Sequence, residues 1–335
     1  MARKAQPAGG YATGKDVAQR AGVSTITVSR VFNPAWEGKI RPETVERVRQ
    51  VAQELNYRPN GVARSLVNRR TNIIAVVIGQ STGFFYSEIL TDLVRRIQKS
   101  GRQALVFSLD LYDDVARILE QVAQHRVDAV VVTSSALRTD VMRPLEDMGM
   151  PVILFKRSAE QTNISGIWCD ERQGALLAAD CLLRTGCRQI GIVAHPHGGT
   201  GRAQAFAEEL ARQNITPVQT VWGDYSYESG QQAARKLLTD HQLDAIFCEE
   251  DTMAMACLDV AREEFGLRVP DDLAIIGFDN NTAAALPAYN ITTVAHPIVD
   301  MLDALMEAIE QVTCDPHTPV RRQFEMSLLE RSTTK

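Results

Sequence analysis

The stretch TGKDVAQRAGVSTITVSRVFN, residues 13–33, predicts two short helices separated by a glycine. The first helix carries its apolar residues on one face and ends at Gly22, because glycine readily adopts the left-handed conformation that closes a helix. The second helix begins after Ser24, whose hydroxyl can satisfy a free backbone N–H group, and directs Val28 and Val31 towards the first helix. Two helices joined by such a tight turn form a helix-turn-helix.

More helix is predicted beyond this motif. From Pro42 to Leu55, the apolar residues Val45, Val48 and Val51 recur every three to four positions after a proline that suits a first turn. A last, shorter helical stretch covers Gly61–Val67. The first part of the chain is therefore predicted to be an all-α head.

The charge of the chain is distributed unevenly. Residues 1–70 carry 13 Lys and Arg against 5 Asp and Glu, whereas residues 71–335 carry 23 against 36. The net charge of −5 for all 335 residues conceals this difference. A basic head on an acidic body is typical of a nucleic-acid-binding module attached to another domain.

The body, from Asn72 onward, alternates apolar runs with amphipathic helical patterns. Continuous apolar strands separated by helices indicate parallel sheets that are covered on both faces. The number of units exceeds one sheet, which predicts two doubly wound α/β lobes with ligand sites at the carboxyl ends of their strands. The apolar runs are Ile73–Ile78, Ala104–Leu109, Ala129–Val132, Val152–Phe155, Ile190–Val193, Ala245–Cys248 and Leu273–Phe278.

Several protein classes are disfavoured by composition. No apolar stretch reaches 18 residues, so no membrane span is expected. Residues 1–12 lack the apolar run of a secretory signal and are predicted to form a disordered leader of a cytoplasmic protein. The six cysteines lie in apolar surroundings without CxxC spacing, which favours buried side chains over metal or redox chemistry. They are Cys169, Cys181, Cys187, Cys248, Cys257 and Cys314.

Four head motifs together resemble the DNA-binding head of the LacI/GalR (lactose-repressor) family of regulators. They are Asp16-Val17-Ala18, Ala21-Gly22-Val23-Ser24, Thr27-Val28-Ser29-Arg30 and Leu55-Asn56-Tyr57-Arg58-Pro59-Asn60. The similarity continues in the body at residues 269–272, 277–279 and 292–294. The resemblance implies a ligand-controlled transcription regulator whose body is like the periplasmic sugar-binding proteins.

The resemblance also divides the chain. It implies a helix-turn-helix domain over residues 13–59 and a hinge helix with linker over 60–71. An effector-binding and dimerisation domain then covers 72–335. Within that domain, residues 72–165 and 295–319 are expected to form the N-lobe, and residues 166–294 and 320–335 the C-lobe.

The DNA-contacting residues follow from the resemblance position by position. Thr25, Ile26 and Arg30 are the implied base-reading residues. Arg30 suits a guanine edge, whereas hydroxyl side chains at the helix start suit phosphate oxygens. Leu66 on the hinge is expected to wedge between base steps of the minor groove and bend the duplex, unless it packs on its own domain. The predicted set is Ser24, Thr25, Ile26, Thr27, Ser29, Arg30, Asn33, Tyr57, Asn60, Ala63 and Leu66.

The loop Pro34–Ile40 departs from the family pattern. It is about two residues longer than usual and contains Trp36, and Arg41 stands where a small capping residue is common. Two interpretations of Trp36 stay open at this point. The ring is either a buried staple of the head or a contact to the DNA backbone.

A small effector is expected between the two lobes. Sugar hydroxyls need bidentate partners such as Arg202 and Asp279, and an aromatic face such as that of Tyr225. The alternatives are a solvated first-turn arginine and an aspartate that only caps a helix. The set implied by the resemblance is Phe85, Tyr86, Thr133, Lys156, Arg202, Tyr225, Glu250, Asp279 and His296.

Two predicted effector residues also depart from the family pattern, and they bear on the charge of the effector. Lys156 occupies a position where an acid is usual, and Glu250 one where asparagine is usual. Lys156 with Arg202 suggests an acidic sugar or sugar phosphate. The alternative is that Lys156 pairs with Glu250 across the cleft, which leaves a neutral sugar as the effector.

Partners and rival functions complete the predictions. The expected partners are palindromic double-stranded operator DNA, a sugar-like effector and a second copy of the chain. An enzyme is disfavoured because Gly198–Gly201 lacks the spacing of a phosphate loop, and His195-Pro196-His197 alone is not a metal motif. We therefore expect no metal and no cofactor. A periplasmic binding protein would need a signal peptide, and whether the effector releases or tightens DNA binding stays open.

Overall fold

The computed structural model describes residues 12–33, 36–58, 70–79, 84–109, 115–133, 149–160, 163–196 and 201–335. The chain divides into two compact units, residues 1–71 and residues 72–335. No helix in these ranges is long and apolar enough to cross a membrane. The predicted leader, the hinge helix and the Gly198–Thr200 turn lie outside the described residues.

The head consists of three helices: α1 (Gly14–Ala21), α2 (Thr25–Val31) and α3 (Pro42–Glu54). Its core is formed by buried valines and alanines from all three helices. Gly22 closes α1 with a φ of +64°, and the Ser24 hydroxyl accepts a hydrogen bond from the Thr27 backbone at the start of α2. These local features confirm the predicted helix-turn-helix.

The first lobe of the body contains a six-stranded, all-parallel sheet in the order β11-β5-β4-β3-β1-β2. Its helices α4 and α5 belong to the α/β pattern predicted from the sequence, whereas α10 was not predicted. The elements are β1 (Ile73–Gly79), α4 (Phe84–Lys99), β2 (Gln103–Leu109), α5 (Val115–Gln124), β3 (Ala129–Val132), β4 (Val152–Phe155), β5 (Ser165–Cys169), α10 (Ile298–Cys314) and β11 (Arg321–Phe324).

The second lobe contains a six-stranded sheet in the order β12-β10-β9-β8-β6-β7, in which only β12 is antiparallel. The predicted fold class, two doubly wound lobes behind a helical head, is confirmed. The elements are α6 (Glu171–Arg184), β6 (Ile190–Ala194), α7 (Arg202–Arg212), β7 (Gln219–Trp222), α8 (Tyr227–Asp240), β8 (Ala245–Cys248), α9 (Asp251–Glu263), β9 (Ala274–Asp279), a 3₁₀ turn (Thr282–Ala285), β10 (Thr292–Ala295) and β12 (Ser327–Leu329).

The crossovers between the lobes correct one prediction. Residues 166–169 and 320–324 were expected in the C-lobe, but β5 pairs with β4 and β11 pairs with β5 in the sheet of the first lobe. The first of the three crossings therefore follows Cys169 and the last follows Phe324. Apolar patterning did not locate these crossovers, because β11 (Arg-Arg-Gln-Phe) is a polar edge strand without an apolar run, and β5 (Ser-Gly-Ile-Trp-Cys) is a short segment that could extend either sheet.

Gly230 lies where helices α8 and α9 of the second lobe approach each other closely. A Cβ atom at this position of α8 would lie 2.8 Å from the Met253 Cα atom of α9. Helix propensity alone predicts that Gly230→Ala stabilises the protein by about 1 kcal/mol. Because backbone atoms block the added methyl, we instead expect a loss of about 1–3 kcal/mol in the free energy of unfolding, measured by urea denaturation. Gln232→Ala, an exposed change in the same helix, is the control, and a Gly230→Ala variant as stable as wild type would contradict the packing.

Candidate functional site

The exposed face of α2 carries four of the predicted DNA-contacting residues. Thr25, Ile26, Ser29 and Arg30 are exposed, whereas Val28 on the opposite face is buried in the head core. Ile26 exposes 61% of its surface, which is unusual for a large apolar side chain. The helix therefore presents an apolar, a cationic and two hydroxyl side chains to its surroundings.

The start of α2 is organised by two hydroxyl groups. The oxygen atoms of Ser24 and Thr27 lie 2.9 Å apart, and the Ser24 oxygen also accepts the Thr27 N–H. Ser24 therefore acts first as a helix cap. The remaining free N–H groups of a helix start favour a negatively charged group such as a phosphate.

Trp36 is neither the buried staple nor a bare surface residue. It is half-buried, and the guanidinium carbon of Arg30 lies 4.0 Å from the centroid of its ring. The Lys39 Nζ atom lies 5.6 Å from the same centroid. The loop that departs from the family pattern thus places one aromatic ring beside two cations.

The other predicted DNA contacts divide into two groups. Tyr57 packs on the head core, with its ring centroid 5.9 Å from that of Phe32, and Asn33 accepts the Trp36 N–H through its backbone oxygen. Asn60, Ala63 and Leu66 lie outside the described residues.

A network of buried charges lies where the carboxyl ends of strands from both lobes meet. The Asp279 Oδ1 atom, at the end of β9, accepts hydrogen bonds from Arg202 at 2.9 Å and from His296 at 2.8 Å. Lys156, at the end of β4, lies 3.4 Å from the same oxygen. All four residues are at least nine-tenths buried, so Asp279 joins groups from the two lobes in a site of low water content.

Arg202 is held on every side. Its Nε atom donates to Glu171 at 2.5 Å, one Nη atom donates to the Glu249 backbone oxygen at 2.7 Å, and its guanidinium lies 3.9 Å from the Phe278 ring centroid. Glu171 and Glu249 were not among the predicted site residues. A signal for them did exist, because both follow buried strands at the edge where such sites form.

The protonation states follow from burial and charge together. Burial opposes ionisation of Asp279, but Arg202 and Lys156 hold the pKa of its carboxyl well below the usual value. Burial, and then the Lys156 charge, lower the pKa of His296. A neutral His296 that donates from Nε2 to the ionised Asp279 leaves its Nδ1 atom as an acceptor, and this buried atom makes no hydrogen bond.

Two aromatic rings cover the network. The Lys156 Nζ atom lies 4.0 Å from the Phe85 ring centroid and 5.3 Å from that of Tyr86, and Phe85 also contacts the His296 ring. Six predicted effector residues are thus brought together. They are Phe85, Tyr86, Lys156, Arg202, Asp279 and His296.

Three predicted effector residues are placed differently. The Thr133 hydroxyl donates to the Val77 backbone oxygen at 3.3 Å within the first lobe. Tyr225 stacks on His195 with ring centroids 4.5 Å apart, a contact that sequence reasoning missed. Glu250 caps α9 by accepting the Thr252 N–H at 2.6 Å. Lys156 pairs with Asp279, and the described residues contain no Lys156–Glu250 salt bridge.

Three of the predicted effector residues have strained backbone conformations. Lys156, Tyr225 and Asp279 have φ values of +63°, +67° and +95°, which side chains other than glycine and asparagine rarely adopt. Strained backbone at buried polar residues is typical of ligand sites.

Two cavities border the network. One of 410 Å³ is lined by Phe85, Asp279 and His296 together with the acidic residues Glu88, Asp92 and Asp300. The other, of 260 Å³, contains Lys156, Arg157 and Arg172. The Arg157 Nη1 atom is buried and makes no hydrogen bond.

Comparison with family models finds two matches. The model described as "Bacterial regulatory proteins, lacI family" matches residues 13–60, and that described as "Periplasmic binding protein-like domain" matches residues 179–334. The first covers the helix-turn-helix, and the second covers most of the second lobe and the last crossovers.

Relatives match almost the whole chain. The HTH-type transcriptional regulator DegA of Bacillus subtilis is 33% identical over 296 residues, which cover 85% of this chain and 87% of the relative. The ribose operon repressor of Halalkalibacterium halodurans is 31% identical and covers 96% of both chains. These relatives are regulators of transcription and not enzymes.

Solved structures show the same architecture. The lac repressor dimer bound to operator and the anti-inducer ONPF superposes with a TM-score of 0.87 at 26% identity, covering 96% of this chain and 99% of that one. A complex of the transcriptional regulator CelR with cellobiose gives a TM-score of 0.69 at 29% identity, with the same coverage.

The Glu250 carboxyl provides a test of the electrostatics. Burial, and then the Asp279 charge, raise its pKa to about 7. A raised pKa means that the folded protein holds a proton that the unfolded chain releases above about pH 4.5, so stability falls as pH rises from there to about 7. Glu250→Gln mimics the protonated form, and we expect it to be about 2–3 kcal/mol more stable than wild type at pH 8 but equal near pH 5.

Urea denaturation at the two pH values measures this difference. Glu208→Gln is the control, because Glu208 is exposed and hydrogen bonds with Arg172 lower the pKa of its carboxyl. An equal effect of Glu250→Gln at both pH values would show that Glu250 is ionised throughout.

Proposed function

Because the chain belongs to the lacI family of bacterial regulatory proteins, we propose that it is a sequence-specific DNA-binding repressor of carbohydrate-utilisation genes. In this proposal a small sugar-like effector, bound between the two lobes, controls the affinity of the head for operator DNA. The relatives support this reading, since they include repressors of the ribose and sucrose operons.

The observation that carries the DNA-binding proposal is the exposed face of α2. A second helix of a helix-turn-helix enters the major groove, and there Arg30 can donate two hydrogen bonds to a guanine while Thr25 and Ile26 contact neighbouring bases. The basic head supplies the attraction to phosphates. We further propose that a homodimer binds a palindromic operator, because one head spans only a half-site and the lac repressor structure is a dimer on its operator.

The effector proposal rests on the network around Asp279. Arg202 and Asp279 provide the bidentate donors and acceptors that suit sugar hydroxyls, and the carboxyl ends of doubly wound strands are where such ligands bind. The six assembled residues therefore remain the proposed core of this site, with Tyr225, Thr133 and Glu250 as its proposed periphery.

An anionic effector, an acidic sugar or a sugar phosphate, is the finer proposal. Two of the three carboxylates that line the smaller cavity are already engaged, since Glu171 binds Arg202 and Asp170 caps α6, whereas the third belongs to the exposed Glu160. By contrast, Arg157 makes no salt bridge among the described residues. Lys156 lies 3.4 Å from the Asp279 carboxylate, a longer contact than the 2.9 Å between Arg202 and the same oxygen. A ligand carboxylate or phosphate would give Arg157 the partner that a buried charge requires and would offer Lys156 a second one beside Asp279.

A selection experiment tests the DNA-binding proposal. Full-length protein is used to select duplexes from a random pool, and affinity is then measured for the selected and a scrambled duplex at several salt concentrations. We expect Arg30→Ala to weaken the selected duplex by about 1–3 kcal/mol and the scrambled one little, because a base contact carries sequence preference and a phosphate contact does not. Failure of wild type to prefer any duplex would refute the proposal.

Calorimetric titration with matched sugars tests the effector proposal. We expect a sugar phosphate or sugar acid to bind at least tenfold more tightly than its neutral parent, because each charge-assisted hydrogen bond contributes about 1.5–3 kcal/mol. Lys156→Gln and Arg157→Gln should reduce that preference, whereas Arg184→Gln, at exposed salt bridges outside the cavity, serves as the control. Equal or tighter binding of the neutral sugars would overturn the anionic assignment.

A further inference from the structure

The contact between Trp36 and Arg30 carries an inference about how the head reads DNA. We propose that Trp36 is a positioning residue that holds the Arg30 side chain in the conformation used for base recognition. This inference rests on the proposed DNA-binding function and adds a residue that lies outside the set of predicted DNA contacts. It also gives a role to the loop in which the chain departs from its family.

The backbone of the loop fixes the Trp36 ring relative to the end of α2. The Trp36 N–H donates to the Asn33 backbone oxygen at 2.9 Å, and the Lys39 N–H donates to the Trp36 backbone oxygen at 3.1 Å. Asn33 directly follows the last turn of α2, on which Arg30 lies. The ring and the guanidinium are therefore both attached, within a few residues, to the same helix end.

The geometry of the contact leaves Arg30 able to bind a base. The Arg30 guanidinium carbon lies over the Trp36 ring, 4.0 Å from its centroid. A guanidinium that stacks on a ring keeps its N–H donors available in its own plane. Those donors are the ones that a guanine edge accepts in the major groove. The described residues contain no carboxylate that pairs with Arg30 and competes for these donors.

The expected benefit is preorganisation. An exposed arginine side chain has many conformations and loses them when it binds. If the ring has already restricted Arg30, this loss occurs during folding and not during DNA binding. Lys39, near the same ring but 5.6 Å away, adds positive charge beside Arg30 without being stacked as closely.

The first experiment needs no DNA. Relaxation of the Arg30 side-chain ¹⁵Nε signal, assigned with Arg30→Lys, is measured in the full-length protein and in its Trp36→Ala and Trp36→Phe variants. We expect the order parameter to fall in Trp36→Ala and to be largely retained in Trp36→Phe, because phenylalanine keeps an aromatic face. An Arg30 side chain that is equally mobile in wild type and Trp36→Ala would overturn the proposal.

The second experiment uses the selected and scrambled duplexes in a double-mutant cycle. Trp36→Ala should weaken the selected duplex about twofold to fivefold, the range of an exposed cation–π contact, and leave the scrambled duplex unchanged. In an Arg30→Ala background the same substitution should have no further effect. Lys39→Ala is the matched control, since loss of a phosphate contact weakens both duplexes alike and lowers the salt dependence.

Each other outcome is informative. A Trp36→Ala loss that persists in the Arg30→Ala background would assign Trp36 a contact of its own with DNA and overturn the positioning role. Circular dichroism melting shows whether Trp36→Ala weakens binding because the head is less stable. Trp36→Phe is expected to be free of such a folding defect. If wild-type protein prefers no duplex, the proposed function fails, while the relaxation experiment still decides whether Trp36 restrains Arg30.

Discussion

Burial of the Asp279 carboxylate is the constraint on which the body depends. A lone carboxylate or guanidinium in a site of low water content is very costly, and it persists only with several charged or hydrogen-bonding partners. Asp279 finds them in Arg202 of the second lobe, Lys156 of the first lobe and His296 at a crossover. The two lobes are therefore joined by electrostatics as well as by three crossing segments of chain. Strained backbone at Lys156 and Asp279 is tolerated because it directs both side chains into this network.

Such a network suits the proposed effector site, since a ligand that enters it must exchange hydrogen bonds with groups that hold the lobes together. A sugar that binds Arg202 and Asp279 competes with Lys156 and His296 for the same atoms. The relative position of the lobes then depends on which set of contacts is more favourable. The unpartnered Nδ1 atom of His296 and the Nη1 atom of Arg157 are buried polar groups of the kind that commonly bind a ligand or an ordered water. In the proposed function, this competition is the step that connects effector to operator.

In the head, the contacts that begin and end each helix join residues close together in the chain. Its core of small apolar residues packs three helices, and a hydroxyl cap starts the helix whose outer face is proposed to read DNA. The core brings together helices that are distant in the chain, but each helix begins and ends through residues within a few positions of it. Trp36 fits the same pattern, as its ring reaches Arg30 through a turn that directly follows α2. In the proposed mechanism, the recognition surface is thus prepared locally before any DNA is bound.

Sequence alone was sufficient for the helix-turn-helix and for the alternation of strands and helices. Of the nine effector residues predicted from it, six are assembled at the lobe junction. The helices and strands follow from short-range rules, because glycine closes a helix and apolar periodicity distinguishes helix from strand. The six residues follow instead from the resemblance to the family. Only the tertiary structure decided that β5 and β11 belong to the first sheet, that Lys156 pairs with Asp279 and not Glu250, and that Glu171 and Glu249 hold Arg202. A short strand such as β5 can extend either sheet, and the polar edge strand β11 has no apolar run to mark it. A buried charge takes the partners that are nearest in space, wherever they lie in the chain.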